Sequence, residues 1–178
     1  FARGSGRPEG TPEVPAGLNW DLWLGPSEKR PYHPAYAPFN WRGWWAFGGG
    51  GLPDVAPHHL DPAFNALKLD SPLTVEASGP GLDLEVCPSG VLAIYRFGPR
   101  GDMGPVTVYW YDGGLRPPRP EELEAGAEMG TNGHLFIGDH GKILSDRRSY
   151  GLIPQKRQKE YGEPPRKLPR SVGHYQEW

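Results

Sequence analysis

Cysteine is all but missing from this chain. Cys87 is the sole one, so no internal disulfide can form and the redox compartment stays open. An excess of one charge sign is missing too: a formal net charge of −2 gives no field that would draw nucleic acid or an anionic membrane. The basic residues near the C-terminus (Lys156, Arg157, Lys159, Arg166, Lys167, Arg170) are interrupted by Glu160 and Glu163 and read as a solvated surface. No apolar run reaches the length of a membrane span, and nothing has the layout of a secretory leader, although the sequence begins at Phe1 rather than Met. The compartment therefore stays unassigned. With 37% hydrophobic residues, the core cannot rest on Leu and Ile alone. No internal repeat is found.

What the chain has instead is glycine, proline and aromatic rings. Gly (26) and Pro (22) reach the level of low-complexity chains. Seven Trp, eight Tyr and six Phe argue against disorder, which is poor in large apolar anchors. The composition therefore points to a folded domain with an aromatic core and much irregular chain. Residues 1–16 read as extended. GLNWDLWLGP (17–26) predicts a short helix with Asn19 as N-cap and Gly25-Pro26 as the stop. PYHPAYAPFNWRGWWAF (31–47) is too punctuated by proline for a long helix. A helix from about Asp54 to Leu69 follows the glycines 48–51, with Leu60, Phe64 and Leu67 at helical spacing. Pro57 is tolerable in a first turn, whereas Pro62 is expected to kink or break it.

Strands are predicted over 73–78, 82–87, 91–97 and 106–112, from alternation or β-branched content between Gly/Pro turns. The segments 134–138 and 142–146 flank Asp139-His140-Gly141, a tight hairpin. EELEAG (121–126) is read as one helical turn and 150–178 mostly as coil. One or two helices on one face of a mostly antiparallel open sheet, with long Gly/Pro-rich aromatic loops, is an α+β arrangement. The whole chain, 1–178, is expected to form a single domain.

The chemistry concentrates in GGGGLPDVAPHHLDP (48–62). Asp54 and His58 are spaced i, i+4, which puts both on one helical face, one turn apart. A histidine can take a proton from an alcohol and return it, while a carboxylate orients the substrate. The preceding glycines allow close approach of a ligand. A helix start capped by Asp54, with His58 and His59 facing solvent, fits the same spacing, and spacing alone leaves both readings open. His58, His59 and Asp61 are metal-ligand types, but adjacent helical histidines point about 100° apart, and no metal site is expected. Trp20, Trp23, Trp41, Trp44 and Trp45 suit either sugar stacking or the core; Trp20 and Trp23 are assigned to the core. Arg42 interrupts the 41–45 run with a donor suited to hydroxyls or carboxylates. Arg42, Trp45, Tyr32, His33 and His59 are therefore substrate-pocket candidates, with Tyr36 similar to them. Asp112 is read as shaping a turn, His134 and His140 as surface, and Cys87 as a small buried apolar residue.

GLNWDLWLGP, PYHPAYAPFNWRGWW, GGGGLPDVAPHHLDPAFNALKL and VYWYDGGLRPPRPEEL, with NGHLFIGDHGKI and LPRSVGHYQEW after them, resemble in that order the C-terminal domain of bacterial Gfo/Idh/MocA oxidoreductases. The resemblance implies His58 as proton acceptor or donor beside a nicotinamide, Asp54 as its substrate-orienting neighbour, and a sugar or polyol as substrate. It also implies NAD or NADP as cofactor and a homo-oligomer formed through the sheet. The chain departs from the family pattern at Ala46 and at Pro53-Asp54-Val55-Ala56-Pro57-His58. No strand–GxGxxG–helix unit is present, since GSGRPEG (4–10) lacks the flanking strand and helix. The chain thus reads as a fragment that binds no dinucleotide and is inactive alone. A non-catalytic carbohydrate-binding or structural module, or a relative of NAD-dependent glycosidases, is the alternative.

Overall fold

The computed structural model describes residues 6–146 and 149–178. The chain divides into two compact units that part between Pro117 and Pro118. Unit 1 carries α1 (Trp20–Leu24), a 3₁₀ turn (Asn40–Gly43), α2 (Gly51–Leu67), β1 (Thr74–Ser78), β2 (Leu92–Phe97) and β3 (Val106–Tyr111). Unit 2 carries β4 (His134–Gly138), β5 (Gly141–Ser145), β6 (Tyr150–Ile153), α3 (Gln155–Tyr161) and α4 (His174–Glu177). The class is α+β, and its six strands form two separate three-stranded antiparallel sheets, β1-β2-β3 and β4-β5-β6. Among the described residues, no helix is long and apolar enough to cross a membrane.

Local chemistry explains α1 as expected. The Asn19 side chain accepts from the Leu22 N–H at 3.0 Å, and Gly25, at φ 55°, ends the helix. α2 differs from expectation in two ways. It begins at Gly51, three residues early, and it runs through both Pro57 and Pro62. An interior proline costs about 3 kcal/mol. Two features offset that cost. The carbonyls of Pro53 and His58, which lose their donors, belong to exposed residues, and Ala56 and Ala63 are buried and anchor the helix by packing. The helix ends at Lys68 in the left-handed region, with the Leu69 N–H closing on the Phe64 carbonyl at 2.9 Å.

α2 covers one face of the unit 1 sheet. Ala56 packs with Ala93 and Trp110, and Leu52, Val55, Leu60, Val91 and Tyr95 surround them. The register pairs Ala93 with Trp110 and Ile94 with Tyr109, so alternate residues point to opposite faces. The Trp110 indole donates to Asp112 Oδ2 at 2.9 Å, which fixes the turn after β3. A second core is almost wholly aromatic: Tyr36, Trp44 and Val86, with Trp20, Trp23, Ala35 and Phe47 against them. Trp20 and Trp23 stack with centroids 4.6 Å apart, in the core as expected.

Three expectations need correction. Residues 82–87 form no strand beyond a single bridge between Val86 and Trp44. Asp83 Oδ1 accepts from the Glu85 and Val86 N–H groups, each at 2.8 Å, and this turn competes with a ladder while Leu82 and Leu84 stay 82% exposed. Residues 121–126 form turns rather than a helical turn. There the Glu124 carbonyl accepts from the Ala127 N–H three residues on, a turn bond, and from the Arg119 guanidinium, which also serves the Ala127 carbonyl, and Gly126 lies at φ 82°. The 150–178 segment is not mostly coil near its start, because β6, α3 and later α4 lie in it. β6 is four residues long with a glycine inside, and α3 (QKRQKEY) has no apolar stripe, so neither leaves a periodic signal. The β4–β5 hairpin is as expected, closed by Gly138 opposite Gly141 around Asp139-His140.

Candidate functional site

Four glycines lead into α2, and the space they free is taken by the chain itself. A Cβ on Gly48 would lie 2.6 Å from the Arg42 carbonyl oxygen, and one on Gly49 would lie 2.6 Å from the Pro53 ring. Gly50 sits at φ 78°, with its missing Cβ directed at Cys87 Cβ, 2.8 Å away. A Cβ on Gly51 would lie 2.9 Å from Asp112 Oδ2. The run is therefore a packing junction, not simply an opening for a ligand. Its Gly50 N–H donates to the Arg42 carbonyl at 2.8 Å and so ties the start of α2 to the 3₁₀ turn.

That tie brings Arg42 to Asp54. Arg42 Nε lies 3.4 Å from Asp54 Oδ1, with the two side chains 28% and 33% exposed. The guanidinium also lies over the rings of Trp41 (4.4 Å) and Phe39 (4.6 Å), and its Nη1 donates to the Phe39 carbonyl at 3.4 Å. Its Nη2 has no partner among the described residues. Asp54 stands in the first turn of α2, where the helix dipole favours a carboxylate. It is not the N-cap: Gly50 occupies that position, and the Asp54 N–H bonds to the Gly50 carbonyl at 3.3 Å. Trp41, Arg42, Gly48, Gly49, Pro53 and Asp54 line a hollow of about 180 Å³.

A family model for the oxidoreductase family, C-terminal alpha/beta domain, of Gfo/Idh/MocA proteins matches residues 5–96, just over half of the chain. The chain belongs to this oxidoreductase family. The matched region holds α1, the aromatic loop, the glycine run, α2, β1 and nearly all of β2; β3 and unit 2 lie beyond it. No curated protein matches the chain.

In this Gfo/Idh/MocA domain the remaining site candidates are dispersed. His58 follows Asp54 by one turn on the same face of α2, about 6 Å along the axis, and it is exposed rather than part of the hollow's wall. His59 is half-buried, its ring 6.4 Å from Trp110. Trp45 is half-exposed and donates from Nε1 to the Asp83 carbonyl at 3.0 Å. Tyr32 meets Trp20 edge-on at 5.3 Å, and His33 Nδ1 accepts from the Ala35 N–H at 3.1 Å. Of the substrate-pocket candidates, Arg42 alone lines the hollow. Trp41 joins it from the tryptophan run, while Trp44 is core. Pro53 and Phe39 were not legible as site residues, since only the fold sets them beside Arg42.

A charged brace lies elsewhere in unit 1. Glu85 takes hydrogen bonds from Arg7 and from Arg30, the latter at 3.0 Å, and Arg30 is buried over Phe47 at 5.2 Å. Burial pushes the Glu85 carboxyl up, but the two arginines outweigh it and hold it below the usual carboxylate range. Asp83 is held low by N–H groups of Val86, Gly6 and Glu85. Burial raises the Cys87 thiol, so it stays protonated and apolar in character. Among the described residues no group of three or more His, Cys, Asp or Glu could hold a metal ion. Both sheets are antiparallel, so the described residues do not form the parallel βαβ unit that cradles a dinucleotide and do not fit that cofactor.

Proposed function

We propose that this domain is the substrate-binding and assembly part of an NAD(P)-dependent oxidoreductase that acts on a hydroxyl of a sugar or polyol. The observation that carries this reading is the Arg42–Asp54 pair on the wall of the hollow, one helical turn before His58. A polyol offers hydroxyls that both donate and accept. Asp54 accepts from one, the Arg42 Nη2 donates to another, and the Trp41 ring packs against a C–H face. The His58 imidazole then exchanges the proton of the reacting hydroxyl. These residues handle the hydroxyls and the proton alone; the dinucleotide has its seat outside them.

Kinetics of the complete enzyme over a polyol panel with NAD and NADP test this. His58→Ala is expected to lower kcat about 10²–10⁴-fold with an unchanged melting temperature. Asp54→Asn is expected to raise KM and lower kcat. Undiminished kcat in both variants would overturn the reading, and release of free sugar from a glycoside would point to a glycosidase relative instead.

The assembly role rests on the sheet face away from α2, where the register sets Leu92 opposite Tyr111 and Ile94 opposite Tyr109. Tyr109 is 52% exposed there. We propose that a second copy covers this face. Sedimentation should report an oligomer that Tyr109→Glu dissociates; a monomeric wild-type chain would refute it.

A further inference from the structure

We infer that unit 2 holds a second ligand site, for a neutral polyhydroxylated molecule such as a free sugar or polyol, in a hollow at the β4–β5 turn. The hollow measures about 540 Å³ and is lined by Glu122, residues 138–142, Ile153, Pro154 and Arg157. Small-molecule pockets commonly measure about 300–1,000 Å³. It lies wholly outside the 5–96 region that the family accounts for, and it shares no residue with the Arg42–Asp54 hollow.

The charge pattern sets the ligand class. Two acids, Glu122 and Asp139, face two bases, Lys142 and Arg157. A net anion meets the acids and a net cation meets the bases, so neither gains a uniform field. Part of this set is already committed. Lys142 Nζ donates to both Glu122 carboxylate oxygens, and Arg157 Nη1 donates to the His140 carbonyl. Gly141 leaves room beside this contact: a Cβ there would lie 2.8 Å from Arg157 Nη1, the movable end of that side chain. What remains is complementary. Arg157 Nε and Nη2 make no hydrogen bond among the described residues, although the guanidinium is close enough to Glu122 to help Lys142 hold its carboxyl low. The Asp139 carboxylate and His140 ring make no hydrogen bond there either. Donors on one side and acceptors on the other suit neighbouring hydroxyls, each of which gives and takes a hydrogen bond. Ile153 and Pro154 add an apolar patch for the C–H face of the same molecule.

Titration of the whole ¹⁵N-labelled chain with myo-inositol and with D-glucose, each followed by amide shifts, tests the site. Saturable shifts are expected at residues 138–142 and at Arg157, little altered by added salt because the ligand is neutral. Asp139→Ala and Arg157→Met should each weaken binding about tenfold. Retained amide dispersion in β4–β6 checks that the variants fold. The site is overturned if neither polyol moves the turn, or if the shifts fall only at residues 48–54. It is also overturned if inorganic phosphate moves the same amides with a steep salt dependence. Shifts confined to 48–54 would leave the function proposed above standing, so the two readings fail separately.

Discussion

Six of the seven tryptophans precede Pro118, and both apolar clusters are built around buried members of that group, Trp44 in one and Trp110 in the other. Residues 118–178 contribute only Leu123 and Ile153 to the buried apolar set of the described residues. Their unit is tied by polar contacts: Lys142 to Glu122, Arg157 to the His140 carbonyl, the Gln155 N–H to Glu124, and Tyr150 to Glu163. Exposed ion pairs contribute about 0–1 kcal/mol each, whereas a buried aromatic side chain contributes several times that. The difference teaches where rigidity is available. The Arg42–Asp54 hollow stands on the packed unit, and the β4–β5 hollow stands on one held by charges.

The comparison is open to a direct break. Trp110→Ala empties the cluster under α2 and also removes the donor to Asp112, so a loss of about 3–5 kcal/mol is expected for unit 1 in urea unfolding. Because all tryptophans but Trp178 lie in unit 1, fluorescence reads that unit. Ile153→Ala in unit 2 is expected to cost less, about 2 kcal/mol, read from amide dispersion of β4–β6. Equal losses would erase the contrast between the two.

Acid sharpens the comparison with a smaller effect. Glu122 is held below the usual range first by its hydrogen bond from Lys142, and Glu124 by the Gln155 N–H. A carboxyl whose folded value is depressed stabilises the fold above its unfolded value, and that contribution is lost as pH falls through the folded value. Asp83 and Glu85 in unit 1 move in the same direction. Unit 1 keeps its aromatic clusters when those carboxyls protonate, while unit 2 loses the ties that Glu122 makes to Lys142 and Glu124 to the Gln155 N–H. Below about pH 4, amide dispersion of unit 2 should therefore collapse before the tryptophan emission of unit 1 shifts. Simultaneous loss would show the two unfolding as one.

Much of the fold was legible because its signals are local. Asn19 and Gly25 delimit α1 by capping and φ alone. The alternation in 91–97 and 106–112 marks β2 and β3, and the i, i+4 spacing of Asp54 and His58 gives a shared helical face wherever α2 forms. What failed was non-local. LDLEVC has strand composition, yet Asp83 spends its carboxylate on turn N–H groups and leaves Leu82 and Leu84 in water. Pro62 has a breaker's chemistry, yet burial of Ala56 and Ala63 holds the helix together around it.

By itself the sequence determined α1, α2, β1 to β5, the α+β class, the aromatic character of the core and the residue types available for proton and hydroxyl chemistry. Periodicity, capping and composition act over a few residues, so they can be read from the sequence. Only the tertiary structure decided that Arg42 meets Asp54, that Gly50 must clear Cys87, that Gly51 must clear Asp112, and that six strands divide between two sheets. Those facts depend on which distant backbones come within van der Waals reach, and that is set by packing, not by any short stretch of chain.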